Sequence, residues 1–179
     1  MNKMLIVVDV QNDFVDGTLG TPEAVSIIPN VVNKINKLEK GDVIIFTRDT
    51  HDANEYLKTQ EGKNLPVLHC IKDTVGWQIN SDVENAAKKS PAKVIYRDKP
   101  SFGSTELIND MNMMYSMHTS EIEVIGLCTD ICVVSNALII KAFFPEDKIT
   151  VDSSCCAGVT PEKHEAALET MRSCQINVI

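Results

Sequence analysis

The stretch IEVIGLCTDICVVSNALIIKA, residues 122–142, decides the fold of this chain. It begins with a short apolar run that ends at Gly126, which is typical of a buried β-strand. Apolar residues recur at helical spacing from Cys132 onward, and Thr129 and Asp130 are residue types that begin helices as N-caps. The stretch therefore predicts a strand, a tight turn and a helix, with Cys132 in the first helical turn.

Cys132 occupies a position that favours a reactive thiol. Unpaired backbone N–H groups and the positive end of a helix dipole stabilise a thiolate relative to a thiol. The alternative is a small core residue on a helix, because free cysteines are often buried. The residues that follow the other predicted strands are needed to decide between these two interpretations.

Length and composition indicate one globular domain. The chain has 179 residues, of which 44% are hydrophobic and 23% charged, so we expect a single domain with a sizeable core over residues 1–179. The net charge of -8, without a basic cluster, argues against nucleic acid or an anionic membrane as a partner. No apolar run is long enough to span a membrane, and the first residues make a poor signal peptide. The six cysteines lack zinc-type spacing, so we expect a reduced, cytoplasmic protein.

Apolar runs rich in β-branched residues alternate with helical patterns along the chain. This alternation predicts a single-domain, three-layer α/β/α architecture around a mostly parallel six-stranded sheet of the Rossmann-like type. The predicted strands are residues 4–8, 43–47, 94–96, 122–125, 149–151 and 176–179. The predicted helices are residues 28–38, 79–88, 105–114, 132–143 and 161–171. The segment 50–72 is too long for a simple connection and is interpreted as a functional loop.

The residues that follow the predicted strands carry chemically active groups. In a parallel sheet the carboxyl ends of all strands meet at one edge, where ligands bind. The candidates at this edge are Asp9 after the first strand, Asp49 and His51 after the second, Lys99 after the third and Cys132 after the fourth. Such a set at one edge favours a catalytic site over a solvated sheet rim.

Three of these residues suit a cysteine nucleophile with its own base. Asp9 ends a strand expected to lie beside the fourth strand, so its desolvated carboxylate could accept the proton of the Cys132 thiol. Lys99 would stabilise both anions. The backbone N–H groups of Cys128 and Cys132 are candidate oxyanion donors in the strand-to-helix turn. Taken singly, Asp9 and Lys99 also fit a structural carboxylate and a surface lysine.

A second cluster has the composition of a metal site. Asp49 and His51 lie two residues apart in an extended segment, which directs both side chains to one side, and His69 could add a third ligand. One carboxylate and two imidazoles leave coordination positions open, as in catalytic zinc or non-haem iron sites. Glu55 and Glu61 in the same loop are further candidate ligands. A surface loop with two histidines is the alternative.

Two other histidines lack ligand spacing. His118 and His164 are interpreted as surface or capping residues. The methionine-rich segment 111–117 and the pair Phe143-Phe144 mark either an interface of a homo-oligomer or core packing, and the sequence leaves both open.

Six segments together resemble the isochorismatase-like cysteine hydrolases. They are VVDVQNDF at 7–14, RDTH at 48–51, HCIKDTVGWQI at 69–79, KPSFGST at 99–105, GLCTDICVVSNALIIKA at 126–142 and VDSSCCAGVTPEKHEAALETM at 151–171. The resemblance runs in order along nearly the full chain, and within the family it is greatest to the nicotinamidases. Those enzymes hydrolyse nicotinamide to nicotinate and ammonia with an Asp–Lys–Cys triad and a divalent metal.

The resemblance implies a role for each candidate. The triad is matched by Asp9, Lys99 and Cys132, and the metal ligands are matched by Asp49, His51 and His69. The implied cofactor is a divalent metal, zinc in the first place, with iron or manganese as alternatives.

The resemblance also describes the substrate pocket. Phe14 matches an aromatic ring that stacks on the substrate, and Leu127–Cys128 matches a cis non-proline peptide that shapes the oxyanion hole. Many nicotinamidases carry a tryptophan where this chain has Leu65-Pro66-Val67-Leu68, so we expect Leu65 and Leu68 near the substrate. Many also carry another histidine after the Asp-x-His pair, and here an acidic residue, Glu61 or Glu55, is the expected substitute. Trp77 is interpreted as a packing residue.

The implied activity is that of a cysteine-dependent amidohydrolase acting on a small-molecule amide, nicotinamide first. A related amidase for a carbamoyl, ureido or other small amide is the closest alternative. Isochorismatase itself is disfavoured, because those enzymes generally lack the catalytic cysteine.

A ligand-binding or redox thiol protein is another alternative, with Cys128 and Cys132 or the Cys155-Cys156 pair as its thiols, but their spacing is not CxxC. Nucleotide binding is disfavoured, since neither GxGxxG after the first strand nor GxxxxGK[ST] occurs.

Overall fold

The computed structural model describes residues 2–115 and 119–179 and shows one six-stranded sheet flanked by helices. Met117 and His118, named above, lie outside the described residues. The strands are β1 Asn2–Val8, β2 Val43–Asp49, β3 Lys93–Lys99, β4 Thr119–Leu127, β5 Ile149–Ala157 and β6 Asn177–Val178. The helices are α1 Asn12–Val15, α2 Pro22–Asn36, α3 Gln60–Asn64, α4 Ser81–Lys89, α5 Glu106–Tyr115, α6 Val134–Phe143 and α7 Pro161–Ser173. A 3₁₀ turn at Tyr56–Lys58 precedes α3, and a π-helical turn at Thr129–Val133 precedes α6.

The sheet has the strand order β3-β2-β1-β4-β5-β6, and every neighbouring pair is parallel. The predicted six-stranded α/β/α architecture is therefore confirmed. Successive crossovers run in one direction from β1 to β3 and in the other from β4 to β6, so right-handed connections place α2 and α4 on one face and α6 and α7 on the other. The order reverses between β1 and β4, and ligand crevices in such sheets open at this point.

Most of the central strand β1 has no access to solvent. Residues 4–8 of β1 are fully buried, which explains their unbroken apolar run in a strand covered on both faces. Gly126 in β4 lies opposite Val8 and has a φ of +123°. A Cβ at Gly126 would lie 2.1 Å from the Val8 carbonyl oxygen, so only glycine fits there. This close approach brings the ends of β1 and β4 together.

Strands β2 and β3 extend beyond the apolar runs that predicted them. Their last pairs are Arg48 beside Asp98 and Asp49 beside Lys99. Opposite charges on neighbouring strands stabilise such pairs, and the Arg48 Nε donates to the Asp98 carboxylate at 2.7 Å. Helix α2 starts six residues before its predicted start, because the Thr21 side chain caps it by accepting from the Ala24 N–H.

The predicted N-caps of the helix in the deciding stretch are wrong. The cap position is Cys128, and the turn that follows is π-helical. The Thr129 hydroxyl is 2.8 Å from His164 Nδ1, and the Asp130 carboxylate accepts from the Val159 N–H at 2.9 Å. Thr129 therefore ties this turn to the first turn of α7, and Asp130 ties it to the segment just before α7. His164 makes a tertiary contact that its sequence context did not predict.

No helix among the described residues combines the length and the apolar character needed to cross a bilayer.

A charged cluster joins α2 to the sheet. Lys34 Nζ lies 2.6 Å from the Glu123 carboxylate of β4 and 2.5 Å from the Asp152 carboxylate of β5, and Lys3 lies 3.3 Å from Glu123. Two ammonium groups thus compensate two carboxylates that are almost removed from water. Burial acts to raise the pKa of Asp152, but hydrogen bonds from Lys34 and Ser154 outweigh it and hold the pKa below its usual value.

We predict that Asp152→Asn lowers the free energy of unfolding by about 2 kcal/mol at pH 7, between the values typical of exposed and of buried ion pairs. A carboxylate whose pKa is lowered by folding stabilises above its unfolded-state pKa, and this contribution is lost as the pH falls through the folded-state value. The deficit of the variant should therefore shrink as urea unfolding is repeated from pH 7 towards pH 3. Glu169→Gln, which removes an exposed pair with Arg172, is the control and should be neutral. An equal deficit at every pH would contradict the role given to Asp152.

Candidate active site

Asp9, Lys99 and Cys132 meet in the crevice between β1 and β4. Lys99 Nζ lies 2.6 Å from Asp9 Oδ2 and 3.5 Å from Cys132 Sγ, and all three side chains are buried. Asp9 follows β1 directly and has a φ of +46°, a conformation that is uncommon for residues other than glycine. Lys99 ends β3, two strands away from β1, and its long side chain spans that distance.

Two neighbouring groups complete the environment of this pair. The Thr47 hydroxyl of β2 donates to Asp9 Oδ1 at 2.7 Å, and the Lys99 ammonium donates to the Ser101 carbonyl at 2.9 Å. Lys99 Nζ also lies 3.7 Å from Asp49 Oδ1. The ammonium therefore links the thiol and its neighbouring acid to the second cluster of candidate residues.

The thiol and the acid both have a raised pKa. Burial raises the pKa of Cys132 well above the usual range of a thiol, and the negative charge of Asp9 adds to this more than Lys99 opposes it. Burial likewise raises the pKa of Asp9, against the opposing effect of Lys99. The expectation of a thiolate stabilised by the helix start is therefore not met in the free protein. The site pairs a neutral thiol with a carboxylate of increased basicity, which suits proton transfer between them.

The second cluster consists of Asp49, His51, Glu61 and His69. Their ligand atoms all lie within 4.8 Å of one another. The His51 Nε2 and His69 Nε2 atoms are 2.9 Å and 3.4 Å from Asp49 Oδ2, and each is 3.7 Å from Glu61 Oε1. Two imidazoles and two carboxylates facing one point fit a divalent transition metal such as zinc, iron or manganese.

The surroundings of the cluster orient its histidines. His69 Nδ1 is 2.8 Å from the Val67 carbonyl, which can only accept, so Nδ1 carries a proton and Nε2 is the ring nitrogen that faces the cluster. The Tyr56 ring packs against His51 and His69 at centroid distances of 4.6 and 5.1 Å. Burial acts to raise the pKa of Asp49, but hydrogen bonds from the two histidines and the charge of Lys99 lower it strongly. The carboxylate of Asp49 is therefore ionised and available as a ligand.

The structure separates the two acidic candidates of this loop. Glu61, in the first turn of α3, points into the cluster, whereas Glu55 is exposed and pairs with Lys58 at 2.8 Å. The 3₁₀ turn between the two residues changes the direction of the chain, so the side chain of Glu55 faces solvent and that of Glu61 faces the histidines. Glu55 therefore lies away from the cluster.

A cavity of about 300 Å³ lies between the two clusters. Its lining residues are Phe14, Leu19, Thr21, Asp49, Glu61, Leu65, His69, Phe102, Cys128, Ile131, Cys132, Val159 and Lys163. This volume is at the small end of the range for ligand pockets. Both the thiol and the metal-type cluster therefore face one small, mainly apolar space.

The expected pocket residues have different positions. Phe14 and Leu65 line the cavity, and the Phe14 ring lies 5.6 Å from the His69 ring. Leu68 does not line it and is 44% exposed, while its neighbour His69 is buried. Adjacent residues of an extended segment point to opposite sides, so the inward position of His69 turns Leu68 outward.

The peptide bond between Leu127 and Cys128 is cis, as the resemblance implied. Cys128 and Cys132 both line the cavity. The role of their N–H groups as oxyanion donors stays a prediction.

All six cysteines are free thiols, including the buried neighbours Cys155 and Cys156.

Sequence reasoning missed one buried amide at this site. The Gln11 side chain accepts from the Asp49 N–H at 2.7 Å and donates to the carbonyls of Asp49 and Trp77 at 2.8 Å. It thereby fixes the backbone that presents Asp49. Its place between Asp9 and Phe14 in VVDVQNDF was a usable signal, since a glutamine after a buried strand needs polar partners. Trp77 lies beneath the guanidinium of Arg48, whose Cζ is 4.0 Å from the centroid of the indole ring. Its indole N–H donates to the Thr50 hydroxyl, in agreement with a packing role.

Comparison with known proteins identifies the relatives of this chain. A family model described as the isochorismatase domain matches residues 3–179. A nicotinamidase of Saccharomyces cerevisiae is 25% identical over an alignment that covers 99% of each protein. Among solved structures, a pyrazinamidase of Pyrococcus horikoshii in complex with zinc is 30% identical, with a TM-score of 0.80 over 100% of this chain and 99% of that one. A nicotinamidase of Bacillus subtilis is 28% identical, with a TM-score of 0.81 over 99% of both chains. This chain belongs to the isochorismatase family.

Proposed function

We propose that this protein is a nicotinamidase-type amidase, which hydrolyses nicotinamide or a close aromatic analogue to the carboxylic acid and ammonia. The broader class is a hydrolase that acts on amide C–N bonds. One observation carries the finer proposal: Cys132, which contacts Lys99 and through it Asp9, lines the same small cavity as Asp49, Glu61 and His69 of the second cluster. Relatives named nicotinamidase and pyrazinamidase, similar over nearly their whole length, support it.

The first step of the proposed mechanism is thiol activation. Asp9 takes the proton of Cys132 as the sulfur attacks the amide carbonyl carbon, so the thiolate exists only when substrate is present. Burial acts to lower the pKa of Lys99, but the negative charges of Asp9 and Asp49 outweigh it and raise the pKa, so the ammonium stays protonated throughout. Its ammonium stabilises the sulfur as negative charge develops there.

The tetrahedral intermediate needs hydrogen-bond donors and an acid. We assign its oxyanion to the backbone N–H groups of Cys128 and Cys132, at the border of the cavity. Asp9 then returns its proton to the departing nitrogen, which leaves as ammonia and yields a Cys132 thioester. Water attacks the thioester with Asp9 again as the base, which releases the acid and restores the thiol.

The second cluster fits a resident metal. Asp49, His51, Glu61 and His69 would hold a divalent ion, and zinc is favoured because the Pyrococcus horikoshii relative is in complex with zinc. When bound, the metal would supply a cationic centre that binds lone pairs of substrate or water and neutralises the two carboxylates of its ligand set. The cavity volume and the Phe14 ring suit a flat aromatic amide between this cluster and the thiol.

We predict that Cys132→Ala abolishes ammonia release from nicotinamide, by a factor of at least about 10⁴, because covalent catalysis is lost. Circular dichroism and thermal melting of the same sample should show an intact fold. Cys174→Ala, which changes the exposed cysteine, is the matched control and should keep wild-type kcat. Activity retained in Cys132→Ala would refute the mechanism. No turnover by folded, metal-loaded wild type would instead move the substrate to a carbamoyl, ureido or other small amide.

We predict that Glu61→Gln lowers zinc affinity at least about tenfold, since it removes one charged ligand of the cluster. Glu55→Gln is the matched control from the same loop and should bind zinc as wild type does, because Glu55 points to solvent. Zinc retained after dialysis against graded chelator, measured by elemental analysis, gives the affinities. Equal retention in the two variants would remove Glu61 from the ligand set.

A further inference from the structure

Asn136 is a fully buried polar side chain near the nucleophile for which the mechanism has no role. It lies in α6, one turn after Cys132, and uses its whole amide. Its Oδ1 accepts from the Ser104 N–H at 2.9 Å, and its Nδ2 donates to the carbonyls of Phe102 and Cys132 at 3.1 and 2.8 Å. Asparagine is a poor helix former, so its hydrogen bonds are the reason for its presence at this position.

These bonds connect the two segments that carry the reacting groups. One segment is the π-helical turn with Cys132, and the other is the loop 100–104 that follows Lys99. The loop contributes the Ser101 carbonyl to the Lys99 ammonium and the Phe102 ring to the cavity wall. Asn136 holds this loop at two backbone positions and the nucleophile at a third.

The loop is also packed tightly on α6. A Cβ added at Gly103 would lie 2.6 Å from Ile139 Cδ1 and 3.5 Å from Ser135 Cβ. The amide of Asn136 therefore acts where the loop backbone already lies close to side chains of α6.

We propose that Asn136 is a positioning residue for the reaction, because it sets the 3.5 Å separation between the Cys132 thiol and the Lys99 ammonium by clamping the loop 100–104 to the nucleophile's turn. The proposal rests on the amidase function proposed above. It differs from a purely structural role, in which Asn136 would only satisfy a carbonyl within its own helix.

Two substitutions separate these roles. Asn136→Ala removes all three hydrogen bonds. Asn136→Ser removes the two bonds to the loop but can restore the bond to the Cys132 carbonyl, because a helical serine reaches the carbonyl four residues earlier. Ser135 shows this geometry in the same helix, where its hydroxyl donates to the Ile131 carbonyl at 2.6 Å. Ser135→Ala is the matched control, since it removes one such bond but no hydrogen bond to the loop and keeps the Cβ that lies near Gly103.

We expect kcat for nicotinamide to fall about 10- to 100-fold in both Asn136 variants, with KM within about threefold of wild type, because misplacement of reacting groups by an ångström costs rate more than binding. Ser135→Ala should stay within about threefold of wild-type kcat. A second readout needs no substrate: alkylation of Cys132 by iodoacetamide, located by mass spectrometry, should slow in both Asn136 variants and not in Ser135→Ala.

Three outcomes decide the proposal. Slowed turnover and slowed alkylation in Asn136→Ser, with a melting temperature close to that of the control, support it. Wild-type kcat and alkylation in Asn136→Ser, or a lower melting temperature with unchanged alkylation, overturn it. If wild type hydrolyses no amide, the proposed function fails, but the alkylation rates still test the position of the thiol.

Discussion

The buried ion pair of Asp9 and Lys99 is the interaction on which the site depends. Its charged atoms lie 2.6 Å apart without access to solvent, and either charge alone in that place would cost several kcal/mol. Lys99 comes from the outermost strand β3 and Asp9 from β1, so the pair forms only when both strands hold their register on β2. The last pair of β2 and β3, Asp49 beside Lys99, provides that register. The strand register and the buried charges of the site thus depend on each other.

This pair also explains why the site is suited to a metal. Lys99 pairs with both Asp9 and Asp49, and Glu61 lies close by. In this buried group of described residues, three acids therefore face the Lys99 ammonium, so negative charge is in excess in a place with little water. Burial and the charge of Asp49 raise the pKa of Glu61, which reports that excess. A divalent ion between the histidines would offset it and let both ligand carboxylates ionise together. The affinity of the cluster for a metal would therefore depend on all the buried charges around it and not only on its ligand atoms.

The sequence was informative where one physical rule acts alone. Unbroken apolar runs predicted all six strands, and the rule that parallel strands end at one edge brought Asp9, Lys99 and Cys132 into one predicted site. It was less informative where tertiary partners compete with local preference. Thr129 and Asp130 have the chemistry of N-caps, but their side chains bind His164 of α7 and the Val159 N–H before it instead. Glu55 and Glu61 are equivalent by composition, and only the turn between them sends one inward. Asn136 carried no local signal, because its partners are backbone groups about thirty residues away.

The site is a junction between two halves of the sheet. The half formed by β1, β2 and β3 supplies the acid, the ammonium and the metal-type cluster, whereas β4 and its π-helical turn supply the thiol. The β1–β4 ladder, closed by Gly126 against Val8, fixes how near the halves approach, but a ladder leaves the groups beyond its last pair free to shift. Cys132 lies beyond that pair, in the π-helical turn, whereas Lys99 is held by its pairing with Asp49 at the end of the β2–β3 ladder. The three hydrogen bonds of the Asn136 amide join the turn that carries Cys132 to the loop after Lys99, and in our proposal they fix the thiol relative to the ammonium.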